Sequence, residues 1–233
     1  MNDGPDIRAN LDSVRLRVDR AARRSGRDPS EITLVAVTKT VPVHLIEEAI
    51  RLGVTDIGEN RVQEARAKFG AIQETVRWHM VGRLQSNKVG HALKIFELIH
   101  SLDRLSLASE LDRIAGASGR PARVLVQVNV SGEATKSGVS PGETLAFLKE
   151  VSAFEHLSVE GLMTIAPLVP AEDTRSCFRA LRRIFEEAAS AGFPRVRMSY
   201  LSMGMTNDFE VAVEEGSNMI RLGTAIFGPR PVP

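Results

Sequence analysis

A lysine stands where a run of apolar, strand-forming residues ends, in the stretch LVAVTKTVP of residues 34–42. If that run is a buried strand, Lys39 lies at its C-terminal end, at the edge of the buried interior. Burial disfavours the charged form of an amine, so a lysine at the edge of a dry pocket can act as a nucleophile toward carbonyls. Schiff-base chemistry is therefore the first hypothesis, and the alternative is a lysine whose ammonium simply extends into solvent.

Composition and charge exclude several classes of protein. The 233 residues are 43% hydrophobic and 25% charged, which suits one large α/β domain or two small ones. The 30 Lys and Arg nearly balance the 29 Asp and Glu, so no net field draws the chain to nucleic acid or to an anionic membrane. No apolar run is long enough to span a membrane, and the first ten residues lack the order of a secretory signal. We therefore expect a cytoplasmic protein.

Short apolar runs alternate with segments of helical period along most of the chain. Strand followed by helix, eight times, predicts parallel strands joined by crossover helices, and in this length a closed α/β fold, the (β/α)8 TIM barrel. A doubly wound open sheet is the alternative. The eight runs are 32–38, 56–58, 78–82, 98–101, 123–130, 157–165, 199–203 and 219–223.

An amphipathic helix is predicted ahead of the barrel, over residues 6–25. We expect a single domain of residues 1–233, with this helix and a loop in 1–31 and the barrel in 32–228. Further helices are predicted from apolar stripes at Val62, Ala65, Phe69 and Ile72, at Ala108, Leu111 and Ala115, and at Phe178, Leu181, Phe185 and Ala188.

Two capping patterns predict where helices begin. Ser140 and Glu143 form a capping box around a proline, and Asn207 with Glu210 repeats the pattern with an asparagine cap.

Polar and small residues follow the predicted strands, and in such a barrel the C-terminal strand ends form one rim. Lys39 follows the first strand, Asn60 follows the second, and Ser202 ends the seventh. Gly223 and Thr224 follow the eighth, and small residues beside a helix start can hold a phosphate through their backbone N–H groups. Each stretch alone is equally typical of a turn, but a lysine and a phosphate cradle on one rim favour a phosphorylated aldehyde or ketone as ligand.

Arg221 adds a cation to the predicted interior. Alternation on the eighth strand puts Met219 and Arg221 on one face, and a buried arginine needs a partner. That partner is either a carboxylate inside the barrel or an acceptor on the ligand, and the sequence leaves both open. Alternation on the fifth strand likewise directs Gln127 and Asn129 into the upper barrel.

Several stretches, in order, resemble one family from Ile32 to Gly228. The chain is similar to the YggS/PROSC family of pyridoxal 5′-phosphate (PLP) binding proteins, also called PLP homeostasis proteins, which look like the N-terminal barrel domain of alanine racemase. The matching stretches are VAVTKTVP, IGENRVQEA, WHMVGRLQSNK, IHSLDR, VQVNVSGEATKSGV, GLMTIAP, LSMGMTNDFEVAV and MIRLGTAIFG.

The resemblance implies a role for each rim residue. Lys39 would form the Schiff base with PLP, Asn60 would line the pocket, and Arg221 would face the pyridine nitrogen. The phosphate contacts would come from Ser202, Gly223 and Thr224. A guanidinium at that nitrogen disfavours its protonation and makes the ring a weaker electron sink.

The resemblance also implies a protein that stores, buffers or delivers PLP inside the cell rather than an enzyme with robust catalysis. Racemases of related fold use a second base, a tyrosine from an additional domain; here Tyr200 is the single tyrosine, and only residues 229–233 follow Gly228. We expect PLP-dependent apo-enzymes as recipients, no nucleic acid or membrane partner, and a monomer or weak dimer.

Three other functions remain as alternatives. They are a PLP-dependent amino-acid racemase with Lys39 as its base, a class I aldolase that needs no cofactor, and a metal-dependent hydrolase. The hydrolase ranks last, since the five histidines form no close ligand pair in sequence and we predict no metal site. Two roles stay open: His79 is either a core histidine or a contact to the ligand, and Lys136 is either a solvated loop lysine or a second amine that accepts or passes on PLP.

Overall fold

A computed structural model of the protein describes residues 4–133 and 135–229. Within them, eight parallel strands close into a barrel in chain order, β1 to β8, with β8 pairing back onto β1. The predicted TIM barrel is confirmed, and the open sheet is excluded. The strands are β1 Thr33–Val37, β2 Asp56–Glu59, β3 Arg77–Met80, β4 Leu98–Leu102, β5 Ala122–Gln127, β6 Leu157–Met163, β7 Val196–Ser202 and β8 Met219–Leu222.

Helices cover the outside of the barrel, as crossover connections require. They are α1 Ile7–Arg24, α2 Val43–Arg51, α3 Val62–Phe69, α4 Val89–Ala92, α5 Leu105–Ser118, α6 Thr144–Val151, α7 Arg175–Ala191, α8 Phe209–Glu214 and α9 Thr224–Phe227. None of these helices in the described part of the chain is long and apolar enough to cross a membrane.

The barrel wall separates two apolar clusters. The larger one joins the outward faces of the strands to the helices, including Phe178 of α7 and Phe209 of α8. The smaller one fills the barrel interior with side chains from alternate strand positions, and its buried members are Val35, Val37, Val81, Leu98, Leu125, Met163 and Met219. Because this inner cluster is small, the rest of the interior is available to polar side chains.

The N-terminal helix α1 packs beside α8 and α9, near the point where the barrel closes. Its apolar stripe is buried, as predicted, and Asn10 Nδ2 donates to the carbonyl of Ile226 at 2.9 Å. Arg17 forms a bidentate ion pair with Glu210 on α8. The division into an N-terminal segment of residues 1–31 and a barrel of 32–228 stays a prediction.

Several predicted boundaries need correction. Helix α8 begins at Phe209 with Asp208, not Asn207, at its N-cap, because the Asp208 carboxylate accepts from the backbone N–H of Met205 and closes the preceding turn. Helix α3 ends at Phe69, so Ile72 is buried beyond it.

The capping box holds in part. Ser140 caps a short 3-10 turn, Pro141–Glu143, and its hydroxyl donates to Glu143, while α6 itself starts at Thr144. Strand bounds also shift, since β5 ends at Gln127 rather than 130 and β7 starts at Val196 rather than 199.

Candidate ligand-binding site at the C-terminal end of the barrel

A cavity of about 720 Å³ opens at the C-terminal ends of the strands. Parallel barrels place their functional loops at this end. Of the six predicted site residues, Lys39, Asn60, Arg221, Gly223 and Thr224 line it, and Ser202 does not. Gln127 and Asn129 also line it, as strand alternation predicted.

Lys39 lies in the tight turn after β1, which is closed by a hydrogen bond from the Val41 N–H to the Thr38 carbonyl oxygen. Its neighbour Thr40 has a φ of 62°, which is uncommon for a β-branched residue and needs support from its surroundings. Glu64 on α3 provides that support, because its Oε1 accepts the backbone N–H of Thr40 at 2.5 Å. The backbone conformation next to Lys39 is therefore supported by Glu64, which lies outside the barrel wall.

Lys68 on α3 joins the groups around that turn. Its Nζ donates to the carbonyl oxygen of Thr38 at 2.7 Å, to Glu59 Oε1 at 2.8 Å and to Glu64 Oε1 at 2.7 Å. The hydroxyl of Thr38 also donates to Glu59 Oε1. We call Thr38, Thr40, Glu59, Glu64 and Lys68 the outer cluster. It holds the backbone on both sides of Lys39.

The two carboxylates of the outer cluster experience different environments. Burial raises the pKa of Glu59 above its ordinary value, against the hydrogen bonds from Lys68 and Thr38 that lower it. Burial also acts to raise the pKa of Glu64, but hydrogen bonds from Lys68 and Thr40 outweigh it and lower the pKa. Glu59 Oε2 is buried with no hydrogen-bond partner among the described residues. Glu59 thus depends on Lys68 for charge compensation.

Arg221 lies on the inner face of β8, as predicted, and is only 5% exposed. Its Nη1 donates to Ser202 Oγ at 2.6 Å and its Nη2 to the carbonyl oxygen of Thr164 at 2.7 Å. Burial lowers the pKa of Arg221 to about 10, against the charge of Asp208, so the guanidinium is still cationic at neutral pH. Among the described residues no carboxylate pairs with it, and a guanidinium has five N–H donors, so donors remain for a ligand.

Ser202 is fully buried beneath Arg221. Its Oγ accepts from the guanidinium and lies 3.2 Å from His100 Nδ1. The phosphate contact that the family resemblance implies for this hydroxyl stays a prediction, and in the structure the hydroxyl contacts Arg221 and His100.

The loops after β7 and β8 form one wall of the cavity. Gly223 is the N-cap of α9 and brings no side chain of its own, and Thr224 is its first residue. Thr206 and Asp208 line the same wall, and the Thr206 hydroxyl accepts from the N–H of Ala225. Across the cavity, Gly82 packs so tightly on the Asn60 backbone that a Cβ there would lie 2.3 Å from its carbonyl oxygen. Asn60 is therefore held at the wall by close backbone contact.

Sequence reasoning missed several residues of the site. The loop after β6, residues 165–169, lines the cavity and carries Leu168, which is 90% exposed. Lys68 was also missed, although its spacing from Ala65 and Ile72 would have put it on the buried stripe of α3. Lys136 does line the cavity, and its Nζ donates to Glu133 and to the carbonyl oxygen of Ala166.

The open question about His79 is answered by its contacts. It is buried in the barrel, with Nε2 2.8 Å from Asp56 Oδ1 and Nδ1 3.0 Å from Nε2 of His100. It is thus a core histidine with both ring nitrogens in hydrogen bonds. We call Asp56, His79, His100, Ser202 and Arg221 the inner chain. In the described ranges, no group of three or more His, Cys, Asp or Glu side chains is placed to hold a metal ion.

The fold and the cavity define a (β/α)8-barrel protein whose ligand site combines a lysine, a buried arginine and a small-residue loop. The sequence profile of the family described as "Alanine racemase, N-terminal domain" matches residues 9–231. The pyridoxal phosphate homeostasis protein of Aquifex aeolicus is 41% identical over 94% of this chain and 96% of its own. That of Escherichia coli K12 is 40% identical over 97% of each chain. The chain therefore belongs to the alanine racemase N-terminal domain family and, within it, to the pyridoxal phosphate homeostasis proteins.

Solved structures agree with this assignment. PipY of Synechococcus elongatus PCC7942, in a structure with PLP bound, is 38% identical and superimposes with a TM-score of 0.79 over 91% of this chain and 100% of its own. Alanine racemase of Clostridium difficile 630 has a TM-score of 0.73 over 97% of this chain and 56% of its own, but only 16% identity. The second likeness shows the fold alone.

Proposed function

We propose that this protein binds PLP and acts in PLP homeostasis, by storing, buffering or delivering the cofactor. Its relatives of 36–41% identity carry that name, and PipY has been solved with PLP bound. The observation in this chain that carries the proposal is that Lys39, Arg221, Gly223 and Thr224 line one cavity. An amine, a cation and a small-residue helix start are the groups that a phosphorylated pyridine aldehyde needs.

The donor set of the cavity suits each part of PLP. Lys39 supplies the amine that would hold the aldehyde as a Schiff base, and Gly223 and Thr224 lie where α9 begins and would take the phosphate. Arg221 would face the ring nitrogen with the donors that Ser202 and Thr164 leave unused. Asn60 would form a wall. Ser202 has a different role in this proposal, since its buried hydroxyl supports Arg221.

We assign the protein a carrier role without robust catalysis. PLP supplies an electron sink to enzymes that use it, and a cation beside the ring nitrogen weakens that sink. Arg221 remains cationic at neutral pH because its pKa is lowered only to about 10. The single tyrosine, Tyr200, packs against the inner apolar cluster and does not line the cavity. A cytoplasmic location and delivery to PLP-dependent apo-enzymes complete the proposal.

Reduction with borohydride in the presence of PLP tests the lysine assignment. Intact-protein mass should show one PLP-sized adduct on the wild type and none on Lys39→Ala. The matched control is Lys136→Ala, which removes the other lysine of the cavity wall and should keep the adduct. Equal labelling of wild type and Lys39→Ala would refute the site.

An activity assay separates the carrier from the racemase alternative. The PLP-loaded protein should not interconvert amino-acid enantiomers at a rate that Lys39→Ala abolishes. Turnover that disappears in Lys39→Ala and persists in Lys136→Ala would favour an enzyme.

A further inference from the structure

The inner chain runs through the barrel as an unbroken series of hydrogen-bond contacts. Asp56 Oδ1 lies 2.8 Å from His79 Nε2, and His79 Nδ1 lies 3.0 Å from His100 Nε2. His100 Nδ1 lies 3.2 Å from Ser202 Oγ, which lies 2.6 Å from Arg221 Nη1. Its members come from β2, β3, β4, β7 and β8, and none is more than 5% exposed. Five polar side chains so deeply buried require a complete set of partners.

The arginine end fixes the first hydrogen bond and allows the second. A guanidinium only donates, so Ser202 Oγ must accept from Arg221. The one proton of the serine hydroxyl is then free to donate to His100 Nδ1. That leaves the proton of a neutral His100 on Nε2, from which it donates to His79 Nδ1.

The aspartate end fixes the last hydrogen bond. Burial alone would raise the pKa of Asp56, but hydrogen bonds from His79, Arg77 and Thr55 lower it to about 2, so the carboxylate only accepts. His79 must therefore donate to it from Nε2. Burial, the largest cause, lowers the pKa of His100 well below its ordinary value, which keeps that ring neutral. When His79 carries a proton on Nε2 and none on Nδ1, His100 must donate to it from its own Nε2, and every donor in the chain points toward Asp56.

We propose that Asp56 is a positioning residue for Arg221, acting through His79, His100 and Ser202. It fixes the direction of the inner chain, so that Ser202 always presents its oxygen to the guanidinium and turns its proton away. If the direction reversed, His100 would donate to Ser202, and the serine proton would have to turn elsewhere beside Arg221. The part that concerns the ligand rests on the proposed function, in which Arg221 faces the ring nitrogen of PLP.

Nitrogen NMR of the PLP-free protein tests the direction without any ligand. With 15N-labelled histidine, His79 and His100 of the wild type should both show a protonated Nε2 and an unprotonated Nδ1. In Asp56→Asn the amide can donate as well as accept, so we expect at least one of the two rings to show protonated Nδ1. Protonated Nδ1 on either ring of the wild type would overturn the proposed direction.

PLP binding tests the consequence for Arg221. Loss of a hydrogen bond to a charged group corresponds to about a tenfold change in an equilibrium constant, so Ser202→Ala should weaken PLP binding by about tenfold. Asp56→Asn should weaken it by a smaller factor, about threefold. Both variants should shift the visible absorption of bound PLP. The matched control is Arg77→Gln, because Arg77 donates to the other oxygen of the same carboxylate, Asp56 Oδ2, from a half-exposed position. It should bind PLP as the wild type does and keep the same spectrum.

The outcomes separate the two proposals. Wild-type affinity and spectrum in both Ser202→Ala and Asp56→Asn, with the adduct still lost in Lys39→Ala, would overturn the positioning role and leave the proposed function intact. If Asp56→Asn and Arg77→Gln changed the PLP affinity and the absorption spectrum equally, Asp56 would only stabilise the fold and would not position Arg221. No PLP adduct on any form, wild type included, would refute the proposed function, while the histidine spectra would still decide the direction of the chain.

Discussion

Two buried polar networks end at the candidate site, one inside the barrel wall and one outside it. The inner chain joins one carboxylate to one guanidinium through two histidines and a serine, and each of its side chains comes from a strand. The outer cluster packs two carboxylates against one ammonium and takes Glu64 and Lys68 from a helix. The first supports Arg221, and the second supports the turn at Lys39.

The difference lies in how completely each network is satisfied. The bonds of the inner chain form one consistent series from Arg221 to Asp56. The outer cluster leaves Glu59 Oε2 without a partner, and burial raises the pKa of that carboxyl. A buried network in which each polar group has a hydrogen-bond partner tolerates burial, whereas two buried carboxylates that share one ammonium both lose their counter-charge if that ammonium is removed. We expect the outer cluster to be the more fragile of the two.

Removal of Lys68 should have the largest effect on stability. Lys68→Met leaves the buried Glu59 carboxylate without its cation, and breaking such a pair costs about 3–5 kcal/mol in the free energy of unfolding. Urea unfolding followed by circular dichroism measures this. The double variant Lys68→Met/Glu59→Gln should recover most of the loss, because positions 59 and 68 are then both uncharged and the remaining carboxylate, Glu64, is partly exposed to solvent. A double variant as unstable as the single one would contradict the charge argument.

Acid should weaken the inner chain over a defined range of pH. The pKa of Asp56 falls from 3.8 to about 2 on folding, so its ionised form stabilises the protein above pH 4. That contribution, about 2 kcal/mol, is lost as the pH falls toward 2. Urea unfolding at stepped pH should show the wild type losing about that much more stability than Asp56→Asn between pH 4 and pH 2. Parallel curves for the two proteins would show that Asp56 has an ordinary pKa.

Neutralising Glu64 should have a smaller effect, about 1 kcal/mol. Glu64→Gln keeps an oxygen for the Thr40 N–H but removes the charge that faces Lys68. Because Lys68 retains Glu59, the loss should be well below that of Lys68→Met. The same urea titration measures it, and a loss as large as that of Lys68→Met would mean that Glu64, not Glu59, is the main counter-charge.

Relief of the turn at Thr40 should give the smallest effect, a change below about 1 kcal/mol. Thr40→Gly removes the strain of a β-branched residue at φ 62° and keeps the backbone N–H that donates to Glu64, which stabilises the fold. Glycine also raises the conformational entropy of the unfolded chain, which destabilises the fold, so the two effects partly cancel. A thermal melt should place the variant within a few degrees of the wild type. A large loss would show that the threonine side chain itself is needed at the turn.

Much of the fold follows from local patterns that the sequence states directly. The eight apolar runs predicted the barrel because period-two strands and helical stripes bury their apolar faces in only a few ways. The rim positions of Lys39, Asn60, Arg221, Gly223 and Thr224 followed from the rule that C-terminal strand ends share one face. The N-cap of α8 and the ends of α3, β5 and β7 did not follow, because termini depend on side-chain contacts that compete locally.

The sequence by itself determined the barrel, the lysine at its rim and the inward arginine, since each depends on residue type and spacing along one element. Only the tertiary structure decided what those residues contact. The five residues of the inner chain lie on five different strands. Their spacing in the sequence does not predict that their side chains are in contact. The sequence therefore predicts Ser202 at the rim, because it ends a strand, whereas in the fold it is buried beneath Arg221. Lys68 likewise becomes a support for Lys39 only once α3 packs against the barrel wall.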